Sequence, residues 1–282
     1  MAERAPQRAG GTVVAITGAA SGIGRALARR YARSGARLGL LDRDAAGLDA
    51  LAAELAGRGT EVHAVACDVT RWEDCKSAVV SILDTYGGVD VLINNAGITH
   101  VSSFADTDVD VVRRVMDVNF FGALYCTRAA LASLVARRGL VIVLSSVAGF
   151  SPLAGRCAYS ASKHALHGLF ETLRSEQRES GLGVMMVCPG FTRTGIEAAA
   201  LGGDGRALRA PRSVYGRQAD ADEVAEAIVR AALRRRRLLV LSPVGKLAYA
   251  VSRVWPALFE RMMTRRVSVA PDGSASDGPE AD

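Results

Sequence analysis

An alternation constrains this chain more than any other feature: short aliphatic or β-branched runs, each followed by a longer amphipathic stretch. The runs occupy 12–16, 37–41, 61–66, 89–93, 140–144, 183–187 and 238–241. Helical patterning fills 24–34, 45–56, 72–86, 109–135, 159–180 and 221–234. Runs this short with little polar alternation need cover on both faces, which is the environment of a parallel sheet. The pattern predicts one doubly wound, Rossmann-like α/β domain with a mostly parallel seven-stranded sheet and helices on both faces. That domain is expected over residues 11–242, after a flexible stretch at 1–10.

With 282 residues, 49% of them hydrophobic, the chain can bury a core without disulfides or a structural metal. Cys67, Cys75, Cys126, Cys157 and Cys188 are odd in number and form no C-x-x-C pair, so five buried free thiols are expected. No uninterrupted apolar run approaches the ~20 residues of a spanning helix, and residues 1–11 lack the apolar core of a secretory signal. A soluble, cytoplasmic protein is the expectation. The net charge of +6 is concentrated: between Arg234 and Arg266 eight Arg and one Lys face one acid, Glu260, a local +8 that leaves −2 for the remainder. A nucleic-acid partner would need a basic face on the domain itself, so none is expected. Residues 267–282, rich in Ser, Gly, Pro and Asp, read as a disordered acidic tail.

The first run enters Thr17-Gly18-Ala19-Ala20-Ser21-Gly22-Ile23-Gly24 and then a helix. Glycines there allow a tight turn and close approach to a diphosphate, and the helix N-terminus offers free N–H groups. Asp42 ends the second strand, where a carboxylate accepts hydrogen bonds from an adenosine ribose and repels a 2′-phosphate. This favours NAD(H). The adjacent Arg43 suits a 2′-phosphate and keeps NADP(H) as the alternative.

Tyr159 and Lys163 are four residues apart at the start of a helix, hence on one face. A phenol with its usual pKa near 10 is a poor base at neutral pH, and a nearby ammonium lowers that pKa. Ser146 stands thirteen residues before Tyr159, at the carboxyl end of the fifth strand. Asn94-Asn95-Ala96-Gly97 follows the fourth strand, Asn119 lies in the next helix, and Pro189-Gly190 with Thr194 follows the sixth. Ligands of open α/β sheets bind at that edge. The amides of Asn94 and Asn95 are expected to tie strands together.

In combination, T-G-x-x-x-G-I-G, N-N-A-G, Ser-(12 residues)-Y-x-x-x-K and P-G-x-x-x-T resemble the short-chain dehydrogenase/reductase family, in its classical branch, over residues 11–242. The resemblance implies that Tyr159 is the catalytic acid/base and that Ser146 hydrogen-bonds the reacting oxygen. It implies that Lys163 binds the nicotinamide ribose and lowers the pKa of Tyr159, and that Asn119 holds a relay water. Gly18, Ser21, Gly22, Ile23 and Gly24 would cradle the dinucleotide, with Asp42 and Arg43 at its ribose. Asp68 and Val69 would lie at adenine, and Asn95, Ala96 and Gly97 along the cofactor. Pro189, Gly190, Thr192 and Thr194 would hold the carboxamide. The implied reaction is hydride transfer between an alcohol and a ketone or aldehyde, without metal, in a homodimer or homotetramer built on the helices at 109–135 and 159–180. The alternative is a nucleotide-binding regulator with little turnover.

Phe191, Ile196, Leu201, Leu208, Val214 and Tyr215 fall where the resembled family has a substrate lid. They either admit a lipophilic substrate or pack on the body. His63, His100, His164 and His167 show no metal-ligand pattern, and His164 and His167 are expected to be solvated or partner-facing. Residues 243–266 form a basic amphipathic appendage, with Leu247, Val251, Val254, Trp255, Leu258, Phe259, Met262 and Met263 at helical spacing and a break at Pro256. It is expected to pack on the body or a second subunit, with peripheral membrane contact as the alternative.

Overall fold

A computed structural model describes residues 11–193, 195–196, 199–208, 219–255, 257, 259 and 261. The strands are β1 (Val13–Thr17), β2 (Arg37–Asp42), β3 (Val62–Ala66), β4 (Val91–Asn94), β5 (Leu140–Leu144), β6 (Gly183–Cys188) and β7 (Leu238–Val240). The helices are α1 (Gly22–Ala32), α2 (Ala45–Ala56), α3 (Trp72–Tyr86), α4 (Val109–Met116), α5 (Gly122–Ala136), α6 (Cys157–Glu176), α7 (Ala221–Leu233) and α8 (Pro243–Val254). The sheet order is β3-β2-β1-β4-β5-β6-β7, and every pairing is parallel. The sheet is thus wholly rather than mostly parallel.

The two-residue period of a strand sends alternate side chains to opposite faces. Along β1, Val14 and Ile16 join one core with Leu27, Leu48 and Ile228. Val13 and Ala15 join the other, with Ile82, Leu134 and Phe170. Burial on both sides explains why the strands lack polar alternation. The strand order reverses between β1 and β4, which opens a crevice at their carboxyl ends.

Three sequence expectations need correction. The helix expected over 109–135 is broken by a π turn, Asp117–Phe121, between α4 and α5. Within that widened turn Asn119 points inward and buries its amide against neighbouring backbone. Secondly, although no apolar run is uninterrupted, the helical stretch Val109–Ala136 has the length and mean hydropathy of a bilayer span. Its inner residues Val111, Val115, Cys126, Ala130 and Leu134 are instead buried within the fold. Thirdly, all five cysteines are free, but only four are buried; Cys157 is half-exposed because it opens α6 at the edge of the site. The stretches at 1–10 and 267–282 lie outside the described residues.

Candidate active site

At the nucleotide end, Gly18 leaves β1 in the left-handed region, φ +64°, where a side chain would be strained. A methyl built on Gly24 would fall 2.0 Å from Gly18 O, so only glycine lets the first turn of α1 pack this close. Ser21 precedes α1 with an extended backbone and makes no side-chain cap, so the first-turn N–H groups of Gly22, Ile23 and Gly24 carry no cap from it, the condition in which a helix N-terminus can receive an anion.

Thr17 and Asn95 clamp β1 to β4 beneath this loop. Thr17 Oγ1 accepts from Asn95 N at 3.0 Å and Ala96 N at 3.1 Å, and Asn95 Nδ2 donates to Thr17 O and Gly18 O, both at 2.9 Å. Asn94 Nδ2 donates to Thr127 Oγ1 at 2.8 Å, tying β4 to α5. Asp42 is half-buried at the end of β2; its Oδ2 accepts from Ala20 N at 2.8 Å and its Oδ1 from Asp44 N at 3.0 Å. Arg43 beside it is exposed. At the end of β3, Asp68 Oδ1 accepts from Thr70 N and Oγ1, and Val69 packs against Gly122 of α5. Pro189 and Gly190 follow β6, where Thr192 Oγ1 donates to Gly190 O at 3.2 Å. Thr194 lies outside the described residues.

At the reactive end, β5 delivers Ser145 and Ser146 to the same edge. Ser146 Oγ accepts from Ala148 N at 3.2 Å and caps a single 3-10 turn, Val147–Gly149. Tyr159 and Lys163 occupy the first turns of α6, and Lys163 Nζ stands 5.6 Å from the centre of the Tyr159 ring. The Lys163 ammonium is buried and donates to Leu144 O at 2.7 Å. Burial pushes its pKa down to about 8. An ammonium carries three donors, and one is spent on Leu144. Asn119 anchors this corner: its Oδ1 accepts from Ile98 N at 2.8 Å, and its Nδ2 donates to Ile98 O at 3.0 Å and Ser162 Oγ at 2.9 Å. A methyl built on Gly97 would lie 3.2 Å from Asn119 Oδ1 and 3.6 Å from Lys163 Nζ, so Gly97, Asn119 and Lys163 meet at one point.

Several residues that shape the site carried little signal in the sequence. Thr17 is one, although a buried hydroxyl at a strand end beside the glycine loop marks it. His167 is another. The expectation of a solvated role holds for the exposed His164 but not for His167, which is buried and bonded to Glu171. The H-x-x-x-E spacing, one helical turn, was the available sign. Among the described residues no cluster of three side chains has the makings of a metal site.

A dinucleotide fits these residues: uncapped N–H groups for its phosphates, a carboxylate for a ribose, and a buried ammonium with donors to spare for a second ribose. Fold and site together define a Rossmann-type oxidoreductase. The family model described as short chain dehydrogenase matches residues 12–202. The "Dehydrogenase/reductase SDR family member 7B" of Mus musculus is 36% identical over 260 residues, covering 90% of this chain and 80% of the relative. Among solved structures, a short chain dehydrogenase/reductase from Burkholderia phymatum in complex with NAD is 26% identical, with TM-score 0.77 over 93% of this chain and 98% of the other. An alcohol dehydrogenase from Thermococcus sibiricus, complexed with 5-hydroxy-NADP, is 28% identical, with TM-score 0.71 over 82% of this chain and 94% of the other. The chain belongs to the short-chain dehydrogenase/reductase family.

Proposed function

We propose that this oxidoreductase interconverts a secondary alcohol and a ketone, or a primary alcohol and an aldehyde, with Tyr159 as acid/base. The observation that carries the reading is the buried Lys163 ammonium, seated on Leu144 O one helical turn from Tyr159. A bound nicotinamide dinucleotide supplies or accepts the hydride. In the oxidative direction the Tyr159 phenolate takes the hydroxyl proton; in reduction the phenol returns it. Lys163 holds a ribose and stabilises the phenolate, and Asn119 supports the corner through which a relay water serves Lys163. Ser146 hydrogen-bonds the substrate oxygen as charge develops on it. Gly18, Ser21, Gly22, Ile23, Gly24, Asp68, Val69, Asn95, Ala96, Gly97, Pro189, Gly190, Thr192 and Thr194 complete the cofactor cradle. Asp42 favours NAD(H) over NADP(H), because its carboxylate opposes a 2′-phosphate.

Phe191, 43% exposed beside the site, supports a lipophilic substrate. Val214 and Tyr215 of the same expected lid lie outside the described residues. The exposed outer face of α6 at Ala161, Gly168 and Thr172 is the surface we assign to a dimer or tetramer contact. The appendage begins as α8, which ends at Val254, and the backbone leaves helical geometry at Trp255, before Pro256. Leu247, Val254 and Trp255 of this segment are exposed, flanked by Lys246 and Arg253, and Tyr249 packs on Phe150 beside the reactive loop. The Tyr249 contact supports packing of the appendage on the body, and the exposed apolar stripe with its cationic flanks keeps peripheral contact with an anionic membrane as the alternative.

Replacing Tyr159 by Phe tests the reaction. Turnover of NADH with a panel of lipophilic ketones is expected to fall by about a thousandfold, with NADH affinity kept within about twofold. Unchanged turnover removes Tyr159 from its role.

A further inference from the structure

Behind the reactive face a second line of polar groups runs from the surface to the end of β5, and the mechanism above makes no use of it. Glu171 lies one turn beyond His167 on α6, partly exposed, with Oε1 2.9 Å from His167 Nδ1. Across the ring, His167 Nε2 stands 3.8 Å from the thiol of Cys188, the last residue of β6. The Ser145 hydroxyl has one proton to give and donates it to Lys163 O at 3.5 Å, while its oxygen packs beside the same thiol. The groups converge because Gly149 has no side chain: a methyl there would fall 2.4 Å from Ser145 Oγ and 2.9 Å from His167 Cδ2.

The chemistry of the partners orients this chain. A carboxylate only accepts, so Nδ1 carries the imidazole proton and Nε2 is left as an acceptor. Burial pushes His167 below the usual histidine range and Cys188 up to about 12, so the ring is neutral and the sulfur is a thiol able to donate to Nε2. Cys188 is wholly buried and protonated, which makes it a structural link and not a nucleophile. Ser145 follows Leu144, whose carbonyl seats the Lys163 ammonium, and precedes Ser146.

We infer that His167 is a positioning residue, which through Cys188 and Ser145 fixes the end of β5 against the first turns of α6 and so seats the Lys163 ammonium. The inference rests on the reading that Lys163 holds a cofactor ribose. A polar residue that merely fills the core would support overall stability and leave cofactor affinity alone.

Two substitutions in the full chain separate these roles. His167→Gln places an amide group near the former Nε2 and can still meet Cys188. His167→Asn reproduces the Nδ1 side only. In fluorescence titrations with NADH at pH 7, His167→Asn is expected to bind about tenfold more weakly, the scale of one buried hydrogen bond. His167→Gln is expected to stay within about threefold of the unsubstituted chain. Cys188→Ala should reproduce the loss, and combining it with His167→Asn should add less than about a further twofold, because both break one chain. Cys188→Ala also keeps the test open if His167→Asn does not fold. Equal NADH affinity in all variants overturns the inference, as does a loss that is equal for Gln and Asn. If the unsubstituted chain binds neither NADH nor NADPH, the reading beneath it falls and the inference falls with it.

Discussion

Across the sheet, the half made of β1, β2 and β3 buries almost nothing polar, whereas the half from β4 to β6 is threaded with it. Of twelve buried polar or charged residues among those described, Thr17 stands alone on the first side, and the other eleven fall between Asn94 and His167. In the proposed reading the first half would hold a nucleotide through backbone, glycines and one carboxylate near the surface, which demand shape and little desolvation. The reactive half must hold an ammonium, amides and hydroxyls in fixed directions away from water, and each of these needs a partner. The difference fits the proposed mechanism, in which cofactor binding and proton transfer draw on separate resources in one sheet and meet at Lys163.

That contrast can be broken at its joint. Lys163→Met is expected to weaken NADH binding by about thirtyfold, the scale of hydrogen bonds from a charged group, without lowering the unfolding midpoint, since it removes a buried charge. Loss of stability in parallel with affinity would mean that the ammonium is a fold element first. Asn119→Ala removes three hydrogen bonds at a buried point and should cost about 2–3 kcal/mol in urea unfolding. A cost under about 1 kcal/mol would show that the π turn stands without its amide. On the nucleotide side, Asp42→Ala should shift the NADH-to-NADPH affinity ratio by about tenfold towards NADPH. If the unsubstituted chain already prefers NADPH, Arg43 outweighs Asp42. The smallest effect is expected at Asp44, whose Oδ1 caps α2 by accepting from Gly47 N at 3.0 Å on the exposed side. Asp44→Ala should cost about 1 kcal/mol by the same unfolding measurement, well below Asn119→Ala if the two halves differ as described.

The parts of the fold that follow one period were readable in the sequence. Alternating aliphatic runs and helical stripes specify the strands of a doubly buried sheet, and the glycines between Gly18 and Gly24 mark its first crossover. The Tyr159–Lys163 spacing places both groups on one helix face without any tertiary knowledge. The π turn at Asn119 was hidden, because the apolar pattern runs on through 109–135 while the partners of its amide, Ile98 and Ser162, lie on other segments. His167 was misread for a related reason. Its neighbours Cys188 and Ser145 lie 21 and 22 residues away in the chain, and only the parallel pairing of β5 with β6 brings their strand ends together. Local spacing reveals what one element presents; it is silent on what another element brings to meet it.

The account is tested most directly by parallel fluorescence titrations of the full chain with NADH and NADPH across pH. Lys163 has its pKa depressed to about 8 in the folded chain, so its charge is complete well below that pH and is lost as pH rises through it. The same depression means that folding stability gains from this group as pH climbs from about 8 towards the unfolded value near 10.4. The predicted result is saturable NADH binding, weaker NADPH binding, and an NADH affinity that falls as pH passes about 8 while the fold holds. Binding of neither dinucleotide, or an affinity indifferent to that pH range, would contradict it.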